Sequence, residues 1–177
     1  GEVLFNNVVN TNIIPASQAP RDPLDYLAPS LKNQLVFLYP NDDDAALFTF
    51  KLIIDKYGWG YMDKLLAQNP LFIRGLVPVL NVVGSGQKAA TFTGVWNFAD
   101  KASGVVWLPP RHDRFMSFGE TAAIFKKAKH PAAGRLFISW SLSTAVQQAA
   151  GMWPVRTDVP VQGGYLPLSS YNTSPED

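Results

Sequence analysis

The sequence of 177 residues contains no cysteine and only two histidines, His112 and His130. Without cysteine the chain can form no disulfide, no thiolate metal site and no thiol nucleophile. Two histidines cannot build a histidine-rich metal centre, so we expect no metal ion and no cofactor. The lack of a free thiol suits an oxidising compartment outside the cytoplasm, although cytoplasmic proteins can also lack cysteine.

Charged residues are also scarce, at 16% of the chain, against about 25% in an average soluble protein. Fifteen basic and fourteen acidic side chains leave a net charge of +1, so no basic excess indicates binding to nucleic acid or to an anionic membrane. No apolar run approaches the roughly 20 residues of a membrane-spanning helix. A hydrophobic content of 47% excludes an intrinsically disordered chain and predicts a domain with a substantial core.

The clearest local pattern is an apolar run at residues 34–39, followed by Pro40 and a polar segment, Asn41 to Asp44. The run has the length and composition of a buried strand. Amide and acidic side chains are typical of a helix N-terminus, and Gly58 is a typical C-terminal stop. The segment therefore predicts a βα unit, and α/β proteins bind ligands at the loops of such units.

Further strands and helices follow from the same kind of pattern. Together they predict an α/β fold, with a mixed sheet of about five strands flanked by helices. We expect residues 1–159 to form one α/β unit and residues 160–177, rich in proline, glycine and serine, to form a tail. The expected strands are residues 2–10, 88–93 and 104–108, and the expected helices are residues 59–69, 78–83, 117–129 and 131–148.

No catalytic constellation can be assembled from the sequence. Residues 84–89 match a loose dinucleotide-binding pattern, but the predicted helix before it and strand after it are in the wrong order. His112 and Asp113 are adjacent, and no nucleophile is placed near them. We therefore expect a protein that is not an enzyme, with a hydrolase or a transferase as the less favoured alternative.

Several segments resemble the extracellular solute-binding proteins of bacterial ABC importers, in the branch that contains iron, thiamine and polyamine binders. The most specific match is residues 128–143, which read AKHPAAGRLFISWSLS and are followed by Gln147 and Gln148. The other matching segments are residues 8–14, 23–35 and 154–159. The resemblance extends over residues 8–159, and the order and spacing of the segments make it more specific than any single motif.

The resemblance implies two α/β lobes that close on a solute. Members of this family are about twice as long as this chain, so the chain resembles the second lobe alone, with crossing strands near residues 4–10 and 105–108. It implies small-solute binding without catalysis, by residues in loops and on the crossing strand. The expected ligand-binding residues are Asn41, Asp42, Asp43, Thr93, Trp96, Asn7 and Asn10.

Two departures from the family pattern restrict the expected ligand. The iron(III) binders have a tandem tyrosine where this chain has Val95 and Trp96, and ferric iron requires anionic oxygen ligands. The helix N-terminus that seats an anion in many binders carries Asp42, Asp43 and Asp44 here, and these would repel an anion. We expect a cationic, neutral or sugar-like solute, with Trp96 as a stacking surface.

The resemblance also sets the expected partners and localisation. The partners would be the solute, the missing N-terminal lobe or a homodimer partner, and an importer permease. The protein would be periplasmic in a bacterium or extracellular in a eukaryote, and Asn172 begins a possible N-glycosylation sequon. The alternative is a stand-alone single-lobe secreted protein that has no transport role and acts through protein–protein contacts.

Overall fold

A computed structural model of the protein describes residues 1–95 and 104–173, and within these ranges the chain forms six strands and five α-helices. The strands are β1 (Glu2–Asn10), β2 (Val36–Leu38), β3 (Leu71–Ile73), β4 (Ala90–Val95), β5 (Val105–Leu108) and β6 (Met116–Gly119). The helices are α1 (Asp44–Tyr57), α2 (Trp59–Ala67), α3 (Leu76–Gly84), α4 (Pro131–Ser141) and α5 (Thr144–Ala149). The expected α/β class with a mixed sheet is confirmed.

Strand β1 is the centre of the sheet. It pairs antiparallel with β4 on one side, where Val8 lies opposite Thr91. On the other side it pairs antiparallel with β5 through its second half and with β6 through its first half. Residues 3–10 are all buried, which explains why this strand carries apolar residues on both faces. The two predicted crossing segments, 4–10 and 105–108, are therefore neighbours in one sheet.

The parallel strands β2 and β3 form a second, two-stranded sheet that adjoins β4. A parallel bridge joins Leu35 to Ala90, and the backbone N–H of Leu38 donates a hydrogen bond to the Thr93 hydroxyl at 2.9 Å. Strands β2, β3, β4 and β5 consequently run in the same direction, with β1 antiparallel to them. Their carboxyl ends lie at one edge of the sheet, which we call the carboxyl edge.

Two apolar clusters cover the two faces of the sheet. Val8 contributes to one cluster, together with Trp107 and Trp153. Val9 contributes to the other, which holds Phe37 and other aromatic side chains. Successive residues of a strand point to opposite faces, so the apolar pair at positions 8 and 9 ties both clusters to the central strand.

The predicted βα unit forms as expected because its signals are local. The Asp43 carboxylate accepts hydrogen bonds from the backbone N–H groups of Ala45 at 2.9 Å and Ala46 at 3.1 Å, which fixes the start of α1. Gly58 ends the helix with φ of +73°, and its N–H donates to the Ile54 carbonyl. A positive φ of this kind favours glycine.

The predicted helix at residues 117–129 is wrong. Residues 116–119 form β6 instead, with Ser117 opposite Leu4 and Gly119 opposite Glu2. The first half of β1 has an open hydrogen-bonding side, and pairing with it outweighs the helical tendency of this short segment. Residues 120–129 contain turns and no α-helix in the described structure.

Two other predicted helices have different bounds. The helix expected at residues 131–148 is divided into α4 and α5, because Ser143 adopts an extended conformation and serves as the N-cap of α5. The apolar segment before Pro78 contains strand β3, which we did not separate, and α3 begins at Leu76. Gly75, with φ of +82°, makes the sharp turn between them.

The described part of the predicted tail packs against the first apolar cluster. The Tyr165 hydroxyl donates a hydrogen bond to the Trp107 carbonyl at 3.1 Å, and the rings of Tyr165 and Tyr171 contact the Trp107 ring edge-on. The indole N–H of Trp153 donates to the Leu166 carbonyl at 3.1 Å. These contacts cover Trp107, while the division of the chain at residue 159 stays a prediction.

Candidate functional site

Polar groups gather at the carboxyl edge, where two parallel strands end side by side. Tyr39, Asn41 and Asp42 follow β2 directly, and Arg74 and Gly75 follow β3. Because β2 and β3 are paired in register, Leu38 opposite Ile73, these two loops are neighbours. The carboxyl edge is where open α/β sheets bind their ligands.

Asp42 joins the two loops. Its carboxylate accepts a hydrogen bond from the Gly75 backbone N–H at 2.9 Å and forms an ion pair with Arg74 at 3.3 Å. The Asp42 side chain is 23% exposed, so solvent still reaches it. Arg74 partly compensates the negative charge of Asp42. The net negative charge at this edge is therefore smaller than three successive aspartates alone would give.

Asp43 has a structural role at the same edge. By accepting the N–H groups of Ala45 and Ala46, its carboxylate occupies the place where a helix N-terminus would otherwise hold an external anion. Asn41 and Asp44 are exposed beside it. The start of α1 is therefore already neutralised by the protein itself.

Sequence reasoning missed Tyr39 and Arg74 as candidates. Tyr39 is 42% exposed, and its ring lies 5.5 Å from the ring of Phe72. Both residues come directly after a short apolar run, and this position was the available signal. The signal for Arg74 was lost because residues 71–83 were not divided into a strand and a helix.

Three predicted ligand-binding residues lie inside the protein. Thr93 has no exposed surface, and its hydroxyl accepts from Leu38. Asn7 donates to the carbonyls of Arg21 at 2.7 Å and Leu108 at 2.9 Å, and it accepts from the Tyr26 hydroxyl at 2.7 Å.

Asn10 is also buried. Its amide donates to the Val83 carbonyl at 2.8 Å and accepts from the Asn12 N–H at 3.0 Å. Thr93, Asn7 and Asn10 thus fasten strands and loops together and, in this conformation, present no side-chain surface to a solute. Trp96, the remaining predicted residue, lies outside the described residues, so its proposed stacking role stays a prediction.

The loop between β5 and β6 is held by Asp22. One oxygen of this carboxylate accepts three successive backbone N–H groups, those of Arg111, His112 and Asp113, at 3.0–3.1 Å. The other oxygen lies 2.8 Å from Nδ1 of His112. Burial alone would raise the pKa of Asp22, but these hydrogen bonds outweigh it and hold the pKa below its ordinary value.

Asp113 anchors the same loop to α1. It is buried, and its carboxylate accepts hydrogen bonds from the Lys56 ammonium and from the Tyr57 hydroxyl, the latter at 2.7 Å. The bond to Asp113 raises the pKa of Lys56. Burial, followed by the Asp113 contact, raises the pKa of Tyr57. This cluster explains why residues 112 and 113 are fixed in place.

Two grooves are lined by residues other than Tyr39, Asn41, Asp42 and Arg74. One, of about 460 Å³, follows residues 13–34 and ends at Arg111. The other, of about 500 Å³, lies between α1 and residues 112–114, and we call it the lateral groove. At the carboxyl edge, Tyr39, Asn41, Asp42 and Arg74 are exposed.

Helix α4 is uncovered. Among the described residues, none of its eleven is buried, although four are large and apolar. Leu136 is 71% exposed, Phe137 61% and Trp140 57%, and the rings of Phe137 and Trp140 contact each other at 5.7 Å. A short helix gains most of its stability from packing, so this apolar surface is typical of an interface.

Two further observations on the described residues concern metal binding and membrane-spanning helices. In residues 1–95 and 104–173, no group of three or more histidine, aspartate or glutamate side chains is placed to hold a metal ion. Over the same residues, no helix has both the length and the apolar character needed to cross a membrane.

No protein-family profile and no curated protein matches the sequence, but solved structures match the fold. A protein described as a two-component system protein mediating signal transduction superposes with a TM-score of 0.76 at 20% identity, over 99% of this chain and 62% of its own. Iron-bound HitA from Pseudomonas aeruginosa matches with a TM-score of 0.68 at 17% identity, over 98% of this chain and 61% of its own.

The periplasmic binding protein AfuA from Actinobacillus pleuropneumoniae, with fructose-6-phosphate bound, matches with a TM-score of 0.65 at 14% identity. That match covers 98% of this chain and 59% of AfuA. The chain thus spans about three-fifths of the length of each of these three structures. At these identities the likeness concerns the fold alone, which matches one lobe of periplasmic-binding-protein folds.

Proposed function

We propose that the chain binds a small solute without catalysis, as one lobe of a two-lobed solute-binding protein of the ABC-importer type. The observation that carries this proposal is the carboxyl edge, where Tyr39, Asn41 and Asp42 form an open polar surface with Arg74. A second lobe facing this edge would enclose a ligand between them. A periplasmic or extracellular location and an importer permease as partner belong to the same proposal.

The solute is cationic, neutral or sugar-like. HitA is described with iron and AfuA with a sugar phosphate, but two features of this chain argue against either ligand here. The N–H groups of Ala45 and Ala46 at the start of α1 already donate to Asp43, so they are not available to an external anion. Residues 95 and 96 are valine and tryptophan, which offer no anionic oxygen to ferric iron.

The uncovered apolar surface of α4 supports a partner for this lobe. Phe137 and Trp140 would lose their solvent exposure against a second lobe, and neighbours of the same fold extend well beyond the matched part. The same surface also favours the second candidate function, a stand-alone secreted protein that acts through homodimerisation or contact with another protein. The two candidates differ in the number and length of the polypeptides in the native particle.

A titration of the whole native protein tests the ligand class. We expect heat of binding with a polyamine, an amino acid or a monosaccharide, and none with phosphate, sulfate or ferric citrate. Asp42→Asn removes a charge at the carboxyl edge and, for a cationic solute, should weaken binding about tenfold, the equivalent of about 1.4 kcal/mol.

The matched control is Asp44→Asn, which removes a neighbouring charge from an exposed carboxylate in the first turn of α1. We expect it to leave the affinity within about twofold of the original. Binding of phosphate or sulfate that is lost only when Asp42 or Asp43 is altered would contradict the proposed ligand class. An absence of binding for every class of solute would favour the second candidate function.

A further inference from the structure

Backbone hydrogen bonds hold Tyr39, Asp42 and Arg74 together at the carboxyl edge. The Asp42 N–H donates to the Tyr39 carbonyl at 3.0 Å, which closes a turn over residues 39–42. The Tyr39 N–H donates to the Ile73 carbonyl at 3.2 Å, so Tyr39 lies beside Arg74, the next residue along the chain. The hydrogen bond from the Gly75 N–H to the Asp42 carboxylate joins the two loops a second time. The three side chains therefore start from one fixed patch of backbone.

The Tyr39 ring offers an apolar surface in this patch. Phe72 supports it, with the two ring centroids 5.5 Å apart and the ring planes 36° from parallel. Tyr39 is nevertheless 42% exposed. A tyrosine held in this way presents an apolar ring and a polar hydroxyl to the same ligand. The C–H groups of a sugar ring can pack on such a surface.

The charges beside Tyr39 have opposite signs. Asp42 forms an ion pair with Arg74, whose side chain is 73% exposed. A cation that approaches Asp42 therefore also meets Arg74, and an anion that approaches Arg74 also meets Asp42. Asp43 is engaged by the N–H groups at the start of α1, and Asp44 lies in the first turn of α1, where the helix dipole compensates part of its charge. This arrangement favours a solute without net charge.

The same groups provide both donors and acceptors. The Arg74 guanidinium has five N–H donors, and one of them donates to Asp42. The Asp42 carboxylate has about four acceptor positions, and Arg74 and Gly75 use two. The exposed Asn41 amide adds donors and an acceptor. Sugar hydroxyls donate and accept, so they can bind this set without separating the ion pair, whereas a charged ligand group would compete with one of its members.

We propose that the solute of the carboxyl edge is a neutral saccharide, which packs its ring on Tyr39 and forms hydrogen bonds through neighbouring hydroxyls to Asp42 and Arg74. This inference rests on the proposed function and narrows its ligand class, because it excludes polyamines and amino acids. Tyr39 and Arg74 then determine the specificity of this lobe.

Calorimetric titration of the whole native protein at two salt concentrations tests the charge of the solute. The probes are glucose, galactose, xylose, maltose, putrescine and alanine. We expect at least one saccharide to bind, with an affinity that changes less than about twofold between about 50 and 500 mM sodium chloride, because salt does not screen a neutral ligand. Binding of putrescine or alanine without any saccharide overturns this inference and leaves the proposed function in place. No binding of any probe overturns both.

Matched variants locate the saccharide. Tyr39→Ala should weaken its binding about tenfold, whereas Tyr39→Phe, which keeps the ring, should stay within about threefold of the original. The control is Trp59→Ala, which removes an exposed aromatic side chain at the start of α2, about 21 Å from Asp44 along α1. Arg74→Met should also weaken binding, and Lys64→Met, on the exposed side of α2, should not. Equal effects of Tyr39→Ala and Trp59→Ala would overturn the proposal.

Discussion

Asp22 is the residue that determines the path of the chain after β5. It accepts hydrogen bonds from three consecutive backbone N–H groups and from His112, and it places Asp113 within reach of α1. Hydrogen bonds to a charged acceptor are stronger than neutral ones. A single carboxylate thus fixes one wall of the lateral groove.

We predict that Asp22→Asn lowers the free energy of unfolding by about 2 kcal/mol near pH 7, because a charged acceptor of four hydrogen bonds is lost. The pKa of Asp22 is depressed in the folded protein. Its contribution is therefore present above the unfolded value of about 4 and is lost as the pH falls through the folded pKa.

Urea denaturation at several pH values measures this contribution. The curves of the original protein and of Asp22→Asn should differ near pH 7 and converge at acid pH. Asp63→Asn, at an exposed position of α2, is the control and should change stability by less than about 0.5 kcal/mol. A constant difference between the curves down to the lowest pH would contradict this account of Asp22.

The role of a buried polar residue could not be predicted from the sequence of its own strand. Asn7 and Asn10 stand in an apolar strand, where a polar side chain indicates either a ligand contact or an internal hydrogen bond. The choice depends on partners that lie far away in the sequence, Tyr26 and Leu108 for Asn7 and Val83 for Asn10. Sequence periodicity does not contain this information.

At the scale of elements, a single residue, Gly58, separates α1 from α2. Gly58 lies between the helices with φ of +73° and ψ of 173°, a region that is essentially open to glycine alone. An added Cβ would meet no atom within 4 Å at Gly58 or at Gly60. The two glycines therefore differ in backbone conformation and not in available space.

This pair gives a matched prediction. Gly58→Ala should lower the free energy of unfolding by about 1–3 kcal/mol through backbone strain. Gly60→Ala should raise it by about 0.5–1 kcal/mol, because alanine is the better helix former. Thermal and urea unfolding measure both changes, and equal effects of the two substitutions would show that the boundary does not depend on the conformation of Gly58.

Elements fixed by local signals were predictable, and elements fixed by distant pairing were not. The cap at Asp43 and the stop at Gly58 lie inside the segment that they define, so α1 followed from sequence. Strand β6 pairs with residues more than 110 positions earlier, Glu2 with Gly119 among them, and its own sequence resembles a helix. The position of Asn41 and Asp42 in the loop after β2 followed from the sequence, whereas the position of Arg74 required knowledge of β3. A ligand contact by Asn41 or Asp42 stays a prediction.

At the scale of the whole molecule, the proposed second lobe gives the carboxyl edge and the surface of α4 a common explanation. At the first, Tyr39, Asn41 and Asp42 are exposed, and the second is an apolar helix with no buried residue in the described structure. One additional lobe that contacts both would complete a ligand site and cover Phe137 and Trp140. A homodimer would cover the apolar surface without requiring a solute.

Native mass spectrometry of protein from its natural source, paired with a denaturing run, tests the two-lobed account most directly. The account predicts a polypeptide well above 19.5 kDa, or a second polypeptide of similar size that co-purifies. It also predicts a small extra mass that disappears on denaturation and identifies the solute. A particle that contains only the 19.5 kDa chain or its dimer, with no small molecule, would contradict the account.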